Sequence, residues 1–570
     1  MTMVIIMIAV MMIGISGLLK WSSSGYRNAV NRTLRNKMLY TAEAGIQFAL
    51  ASFHSFPRYE IHPTMADCSA ISNAFWNTIS GSAFPADIKV DEYTVCTNGS
   101  PYQGIIEQGA YKGMRGFIQQ IAVRVGVYED NNKINNKLKL IQTINSIFIS
   151  IFQFGVFYEG NLEIHPGAQM SFVGPVHGNN NIYLSTDSSL QFNSYVTAAG
   201  SIYHKRLEGT TPSGGQVYFK DSEGFYQPMN IYGIWLDSDH PFWTQGALLR
   251  WDGNVRSEVH QTQYLSIPIP GAETNAHVIV EKPVTNDASD VSESKYYNKA
   301  SLKILDDGKL YGSSNTGQTT VDYYIADIEN LDWIIMTNSF WNGRQGYMIN
   351  PVDIDMDKFN DWILTNAPAA FTNNSPNAGI MYLSCSNYEG SAFRIINGSK
   401  IPVSLSKGLS IASPNAMYIK GNYNNIQKRP CSILSDSLTV LSEKWNDKYN
   451  DGTYSKQKAG ETIVNAAIMT GNVSTDEGDR DSYSGGLENF PRFLEDWSSI
   501  KFYYTGSLVC LWNSICETEV WKGYQNNNNN YYNPPTRIWQ YDTAFSNPNT
   551  TPPGTPNIHV FEVALWKREY

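Results

Sequence analysis

The sequence predicts an α+β chain, with a long N-terminal helix and a small antiparallel sheet followed by a large, mainly-β body built as a β-solenoid. Three observations lead there. Met3 to Leu19 carry no charge and run on into an amphipathic tail that ends near Phe53. A strand-like alternation follows in Ile121, Val123, Val125 and Val127. From Gly160, apolar residues then recur at intervals of twenty.

The uncharged stretch of seventeen residues rises ~26 Å as a helix, the lower limit for crossing a bilayer core. After it Tyr26, Val30, Leu34, Met38, Ala42, Ile46 and Leu50 fall at every fourth position, with Arg27, Arg32, Arg35 and Lys37 elsewhere. That is one slowly winding apolar stripe, suited to packing on other helices and on a globular body. All the basic residues of this region follow the apolar run, so a body outside the cytoplasm requires a basic leader ahead of residue 1.

Residues 55 to 103 read as irregular. Ile118 to Tyr128 and Leu138 to Ile149 read as a strand pair around the polar turn Glu129 to Lys133. In the repeat, Leu162, Ile182 and Ile202 share a register, as do Ile164 with Leu184, Met170 with Leu190, Phe172 with Phe192 and Val176 with Val196. Gly160, Asn180 and Gly200 hold the turn position. Such a period is what a β-solenoid needs, because one coil alone cannot bury its inward face.

The expected segments are 1–54 (stem helix), 55–152 (sheet region), 153–205 (first solenoid coils), 206–400 (an inserted β-rich or irregular region) and 401–570 (further solenoid-like chain). Within the insertion, strands are expected around Val278 to Val280, Val321 to Ile325 and Trp333 to Met336, with a short helix over Phe359 to Leu364. In the last segment, units such as Leu409 to Ile411, Met417 to Ile419 and Leu438 to Val440 restate the coil pattern.

Few charged residues (16%), many aromatics (13%) and a net charge of -10 describe an extracellular β-protein and exclude a nucleic-acid partner, whose phosphates need a basic face. The six cysteines form neither CxxC nor CxxCH, which removes zinc ribbons and covalent haem. An even number in an exported chain reads as disulfides. Nearness suggests Cys68 with Cys96, Cys385 with Cys431 and Cys510 with Cys516, among the ~15 pairings that six cysteines allow.

Catalytic chemistry finds little support. The chain has no HExxH, phosphate loop, GxGxxG or Ser/His/Asp order, so neither an enzyme nor a cofactor is expected. Asp476, Glu477, Asp479 and Asp481 read first as a solvated turn and second as a calcium site. A helix from Pro491 to Trp497 would set Arg492 one turn from Glu495 and Asp496 as structural ion pairs, with Glu488 in the preceding loop. His165 and His177 read as hydrogen-bonding residues on turns, and the Asn526 to Asn530 run beside Tyr531 and Tyr532 as a surface loop within reach of sugars.

The opening Met1-Thr2-Met3, the striped helix holding Ala42-Glu43-Ala44-Gly45-Ile46, and the stretches Phe157 to Gly167, Asn465 to Asn472, Gly485 to Trp497 and Tyr532 to Arg537 carry a resemblance. The chain resembles bacterial type IV pilin-like proteins of the PilX N-terminal type, over about half of its length. The resemblance implies that a prepilin peptidase removes a leader and leaves Met1 as an N-methylated first residue. It also implies an inner-membrane precursor pool, the pilus assembly machinery as partner, and a helical homo-oligomer at the cell surface. Helix packing in such a fibre would use small residues, here Ala9, Gly14, Gly17 and Gly45, and some of Gly14 to Gly25 would unwind. Ile5 stands where major pilins carry a glutamate, and Glu43 could replace part of that charge by pairing with Arg35 or Lys37 of a neighbour. A structural filament subunit is the leading expectation. A minor tip pilin or membrane-tethered adhesin that binds surface glycans comes second, and a surface carbohydrate-active enzyme third.

Overall fold

The computed structural model describes residues 2–54, 62–79, 84–97, 99–107, 111–130, 137–269, 275–316, 319–372, 377–386, 389–448, 457–522 and 531–569, without the side chains of 2–6, 9, 314–316 and 319–320. Met1, the side chains of Ile5 and Ala9, and the Asn526 to Asn530 run lie outside the described residues. The structure has a long N-terminal helix and a large, mostly-β body of several sheets. It divides into two compact units, residues 1–104 with 117–148 and 560–570, and residues 105–116 with 149–559. The chain passes from the first unit to the second and back again, at residues 104–105, 116–117, 148–149 and 559–560.

In the first unit, helix α1 (Thr2–His54) runs unbroken through Gly14, Gly17 and Gly25. Its stripe does two jobs. Leu34, Met38, Ala42, Ile46, Ala49 and Phe53 are buried, whereas Tyr26 and Val30, on the same stripe, are exposed. The buried half packs with Ile121, Val123, Val125 and Val127 of strand Arg115–Glu129, whose alternation is that of a sheet with one covered face. That strand pairs antiparallel with Lys137–Ser150, Ile121 opposite Ile144 and Val125 opposite Leu140, and with Ile88–Thr97 on its other side. The C-terminal strand Asn557–Glu569 lies next to Lys137–Ser150.

Residues 55 to 103 are less irregular than expected, because helix α2 (Met65–Ile79) lies within them. Thr64 and Asp67 cap it reciprocally, the Asp67 N–H donating to Thr64 Oγ1 and the Thr64 N–H to Asp67 Oδ2. Cys68, Ile71 and Phe75 form its buried side. Both the Thr-x-x-Asp signal and the helical spacing were present in the sequence.

In the second unit the twenty-residue repeat forms three stacks of parallel strands. Val156, Val176, Val196 and Val255 align in one, Leu162, Ile182 and Ile202 in another, and Met170, Leu190 and Val217 in the third. Every expected register pair is observed. Phe172, Phe192 and Phe219 stack in sequence with centroids 5.5 and 5.2 Å apart.

The chain does not continue coil by coil. After Val255 it restarts on the far side of the same sheet, at Leu302–Leu305, and returns through Ile380–Leu383, Leu409–Ala412, Cys431–Ser435, Thr462–Thr470 and Lys501–Cys510. The last of these pairs parallel with Val156–Tyr158, Leu508 opposite Val156. A second parallel stack holds Tyr347–Asp355, Ser391–Ile396, Ala416–Lys420, Leu438–Leu441 and Arg492–Phe493. Leu302–Leu305, Tyr347–Asp355, Ile380–Leu383 and Ser391–Ile396, all within the expected insertion 206–400, thus belong to these stacks, and one hydrophobic core runs from Val156 to Trp539.

Local expectations divide. Thr319–Asp327, Ile334–Met336 and helix Met356–Asn366 are present, the last capped by Asp355. Ala276–Val280 is a 3₁₀ turn instead of a strand. Pro491 to Trp497 is not helical: Arg492–Phe493 is a strand, and Arg492 pairs with Glu517 at 3.1 Å. Glu495 instead accepts from the Ser442 N–H and hydroxyl. Tertiary pairing in the stack outweighs the local i, i+3 and i, i+4 spacing.

No disulfide joins any of the six cysteines, which corrects the disulfide expectation. Cys431 and the strand that precedes Cys385 are separated by Leu409–Ala412, about 9.6 Å at two strand spacings and beyond the ~7 Å reach of a disulfide. The Cys510 thiol donates to the Trp512 carbonyl at 3.6 Å and the Cys516 thiol to that of Pro414 at 3.3 Å. Cys68 does lie beside Cys96, and burial together with that neighbour raises its thiol to about 11.

Candidate functional site

Two places stand out, one in each unit. In the first, every described side chain of α1 from Met7 to Thr33 is exposed. Twelve of them are large and apolar: Met7, Ile8, Val10, Met11, Met12, Ile13, Ile15, Leu18, Leu19, Trp21, Tyr26 and Val30. Full burial stabilises each such side chain by roughly 1.5–3 kcal/mol, so this half of the helix calls for an apolar partner. No helix, taken over the described residues, is long and apolar enough to cross a membrane, and the expected membrane-crossing helix is not found among them.

Gly14 and Gly17 face open space, but Gly45 does not. A Cβ on Gly45 would stand 3.1 Å from Val125 and 3.3 Å from Tyr93, and Tyr93 donates to the Gly45 carbonyl at 3.0 Å. Gly45 and the fully buried Ala42 therefore seat the helix on its own sheet. Glu43 is half-buried, and Lys37, one of the two partners expected for it, pairs with Asp87 at 2.8 Å within the chain.

In the second unit, strand Leu162–Ile164 turns Leu162 and Ile164 into the core and Glu163 to the opposite face. Glu163 is nonetheless only 4% exposed, and Thr475 Oγ1 donates to its Oε2 at 3.3 Å. Burial raises its carboxyl to about 8. His165 follows on the same coil, its backbone N–H donating to Glu488 Oε1. Both His165 ring nitrogens are closed off from solvent without a hydrogen-bond partner, as is Glu488 Oε2. Burial holds the imidazole well below its ordinary pKa and raises Glu488 to about 7. Glu208, two coils on, accepts from Arg206 Nε at 2.6 Å and from Thr210 Oγ1 at 2.8 Å, both at Oε1.

One donor atom each from Glu163, His165 and Glu208 lies within 4.8 Å of the other two. Glu163 lines a cavity of about 390 Å³, and His165 and Glu488 line a cleft of about 510 Å³ with Arg206, Tyr483, Trp521, Tyr532 and Arg537. The expected calcium ligands Asp476, Glu477, Asp479 and Asp481 are all exposed and do not form such a group among the described residues. Their loop instead covers the cluster, the Gly478 N–H donating to the Leu207 carbonyl at 2.8 Å.

Sequence reasoning set His165 and His177 side by side as hydrogen-bonding residues. His177 is one, with Thr197 Oγ1 at 2.8 Å and Asn179 Oδ1 at 2.9 Å; the His165 ring is not. Glu163 and Glu208 went unremarked, although a glutamate between two core residues of a repeat was a visible signal.

No protein-family model and no curated protein matches this chain. Among solved structures, the competence-associated pilin ComZ from Thermus thermophilus is similar at 9% identity and a TM-score of 0.25, over 94% of this chain and 97% of that one. At that level of likeness nothing is transferred from it.

Proposed function

We propose that the chain is a structural subunit of an extracellular, type IV pilus-like filament, and that α1 is the element through which it polymerises. The observation that supports this is the division of α1: one half is buried on its own sheet, the other presents twelve exposed apolar side chains. In the proposal, a prepilin peptidase frees Met1 at the inner membrane, and the exposed half of α1 then packs among the helices of neighbouring copies. Small residues at Gly14 and Gly17 allow backbones to approach closely. The body, read as an interrupted β-solenoid, is displayed outside, and no catalytic step is assigned to it.

Electron microscopy of sheared surface material, with mass spectrometry of its main band, tests the proposal. Fibres containing this chain with a methylated Met1 are expected. Protein that stays monomeric in detergent, with no fibre recovered from cells, would overturn it. A second reading, a minor tip subunit that binds glycans, is favoured by the cleft lined by Tyr483, Trp521 and Tyr532; it predicts low abundance in the sheared fraction and retention on immobilised glycans.

A further inference from the structure

We propose that Glu163, His165 and Glu208 bind a divalent transition-metal cation of the zinc type, which ties the first coil to the turn two coils on. The donor atoms are already gathered within 4.8 Å of one another. Ligands at ~2.0–2.1 Å around a tetrahedral ion lie ~3.3 Å apart, so modest side-chain rotation closes the site.

The independent observation is His165. An imidazole on a half-buried residue whose two nitrogens are both shut from solvent and unbonded forfeits hydrogen bonds that water would supply, and such a group points to an ion or an ordered water. Each nitrogen left unpaired costs about 1–3 kcal/mol. One nitrogen ligating a cation removes one of these penalties.

The donor set selects the ion. Calcium and magnesium take oxygen ligands, whereas imidazole with carboxylates suits zinc and its neighbours. Two carboxylates match the charge of a divalent ion, and Arg206 Nε, which donates to Glu208 Oε1 at 2.6 Å, orients the second of them. Three protein ligands leave a fourth position for water. The cavity beside Glu163 and the cleft beside His165 supply routes of entry.

The test uses the whole chain in detergent, stripped with chelator and titrated with Zn²⁺ by calorimetry and with Co²⁺ by visible absorption. One equivalent of Zn²⁺ and the intense bands of tetrahedral Co²⁺ are expected. Glu163→Gln and His165→Gln should each weaken binding about ten-fold or more, with metal-free melting curves showing whether the variants fold. Should a variant not fold, a Zn²⁺-soaked crystal of the wild type decides, with an anomalous peak bonded to a His165 ring nitrogen expected. A hexa-aqua Co²⁺ spectrum, variants that bind like the wild type, or ordered water alone at His165 would each overturn the proposal.

Discussion

Arg394 illustrates how this body carries buried charge. Its guanidinium is 1% exposed, accepted by Asp353 at 2.7 and 2.9 Å and by Asp447 at 2.7 and 3.0 Å. Removing one side of such a group leaves uncompensated charge in a low dielectric, so Arg394→Ala should destabilise by about 3–5 kcal/mol in urea unfolding. Glu495, wholly buried with Ser442 as its hydrogen-bond partner, has its carboxyl raised by burial from 4.5 to about 7. A raised carboxyl means that the native state binds more protons than the unfolded chain between those two values. Stability from this group is therefore present below about pH 4.5 and lost as pH rises to about 7, at up to about 1.4 kcal/mol per pH unit. Glutamine keeps an acceptor for the Ser442 N–H and gains a donor for its hydroxyl, so Glu495→Gln should gain on the wild type across that window. Urea midpoints at pH 5 and 8 would show it, and an unchanged difference would contradict the burial account.

At the scale of the element, α1 separates folding from assembly. Leu18 is 66% exposed and Met38 is 2% exposed on the same helix. Leu18→Asp should leave the urea midpoint within about 0.5 kcal/mol and abolish sheared fibres, whereas Met38→Ala should cost about 2–5 kcal/mol. Full fibre yield from Leu18→Asp would count against polymerisation through this face. The stripe itself was legible from Tyr26 to Leu50, because helical spacing is local. Where the burial begins, at Leu34, was not, since it depends on where the sheet ends. The same contrast governs the cluster: the twenty-residue register showed which residues of the repeat face inward, but the outward Glu163 meets Thr475, and the His165 backbone meets Glu488, each more than three hundred residues away.

At the scale of the molecule, the second unit is joined through strands far apart in sequence. The repeat was readable where its interval is constant, from Gly160 to Ile202, and faded where Met381, Ile411, Ile433, Ile468 and Leu508 align across unequal intervals. Nothing local could reveal the seam between Lys501–Cys510 and Val156–Tyr158, because the two paired strands lie near opposite ends of the second unit's chain. Such pairing is slow to form, since loop closure must be met before the contact rewards it. Its consequence is that neither half has a finished edge alone, and an open strand edge of this kind invites intermolecular pairing. Leu508 is 2% exposed and its N–H donates to the Gly155 carbonyl at 2.9 Å, at the centre of the seam. Proline there deletes the donor inside a central strand. Leu508→Pro should therefore expose both halves of the unit to protease together, with aggregation, when followed by limited proteolysis and mass spectrometry. A resistant fragment spanning the first coils, surviving while the returning half is digested, would instead show that the halves fold independently and that the seam is a contact between finished parts.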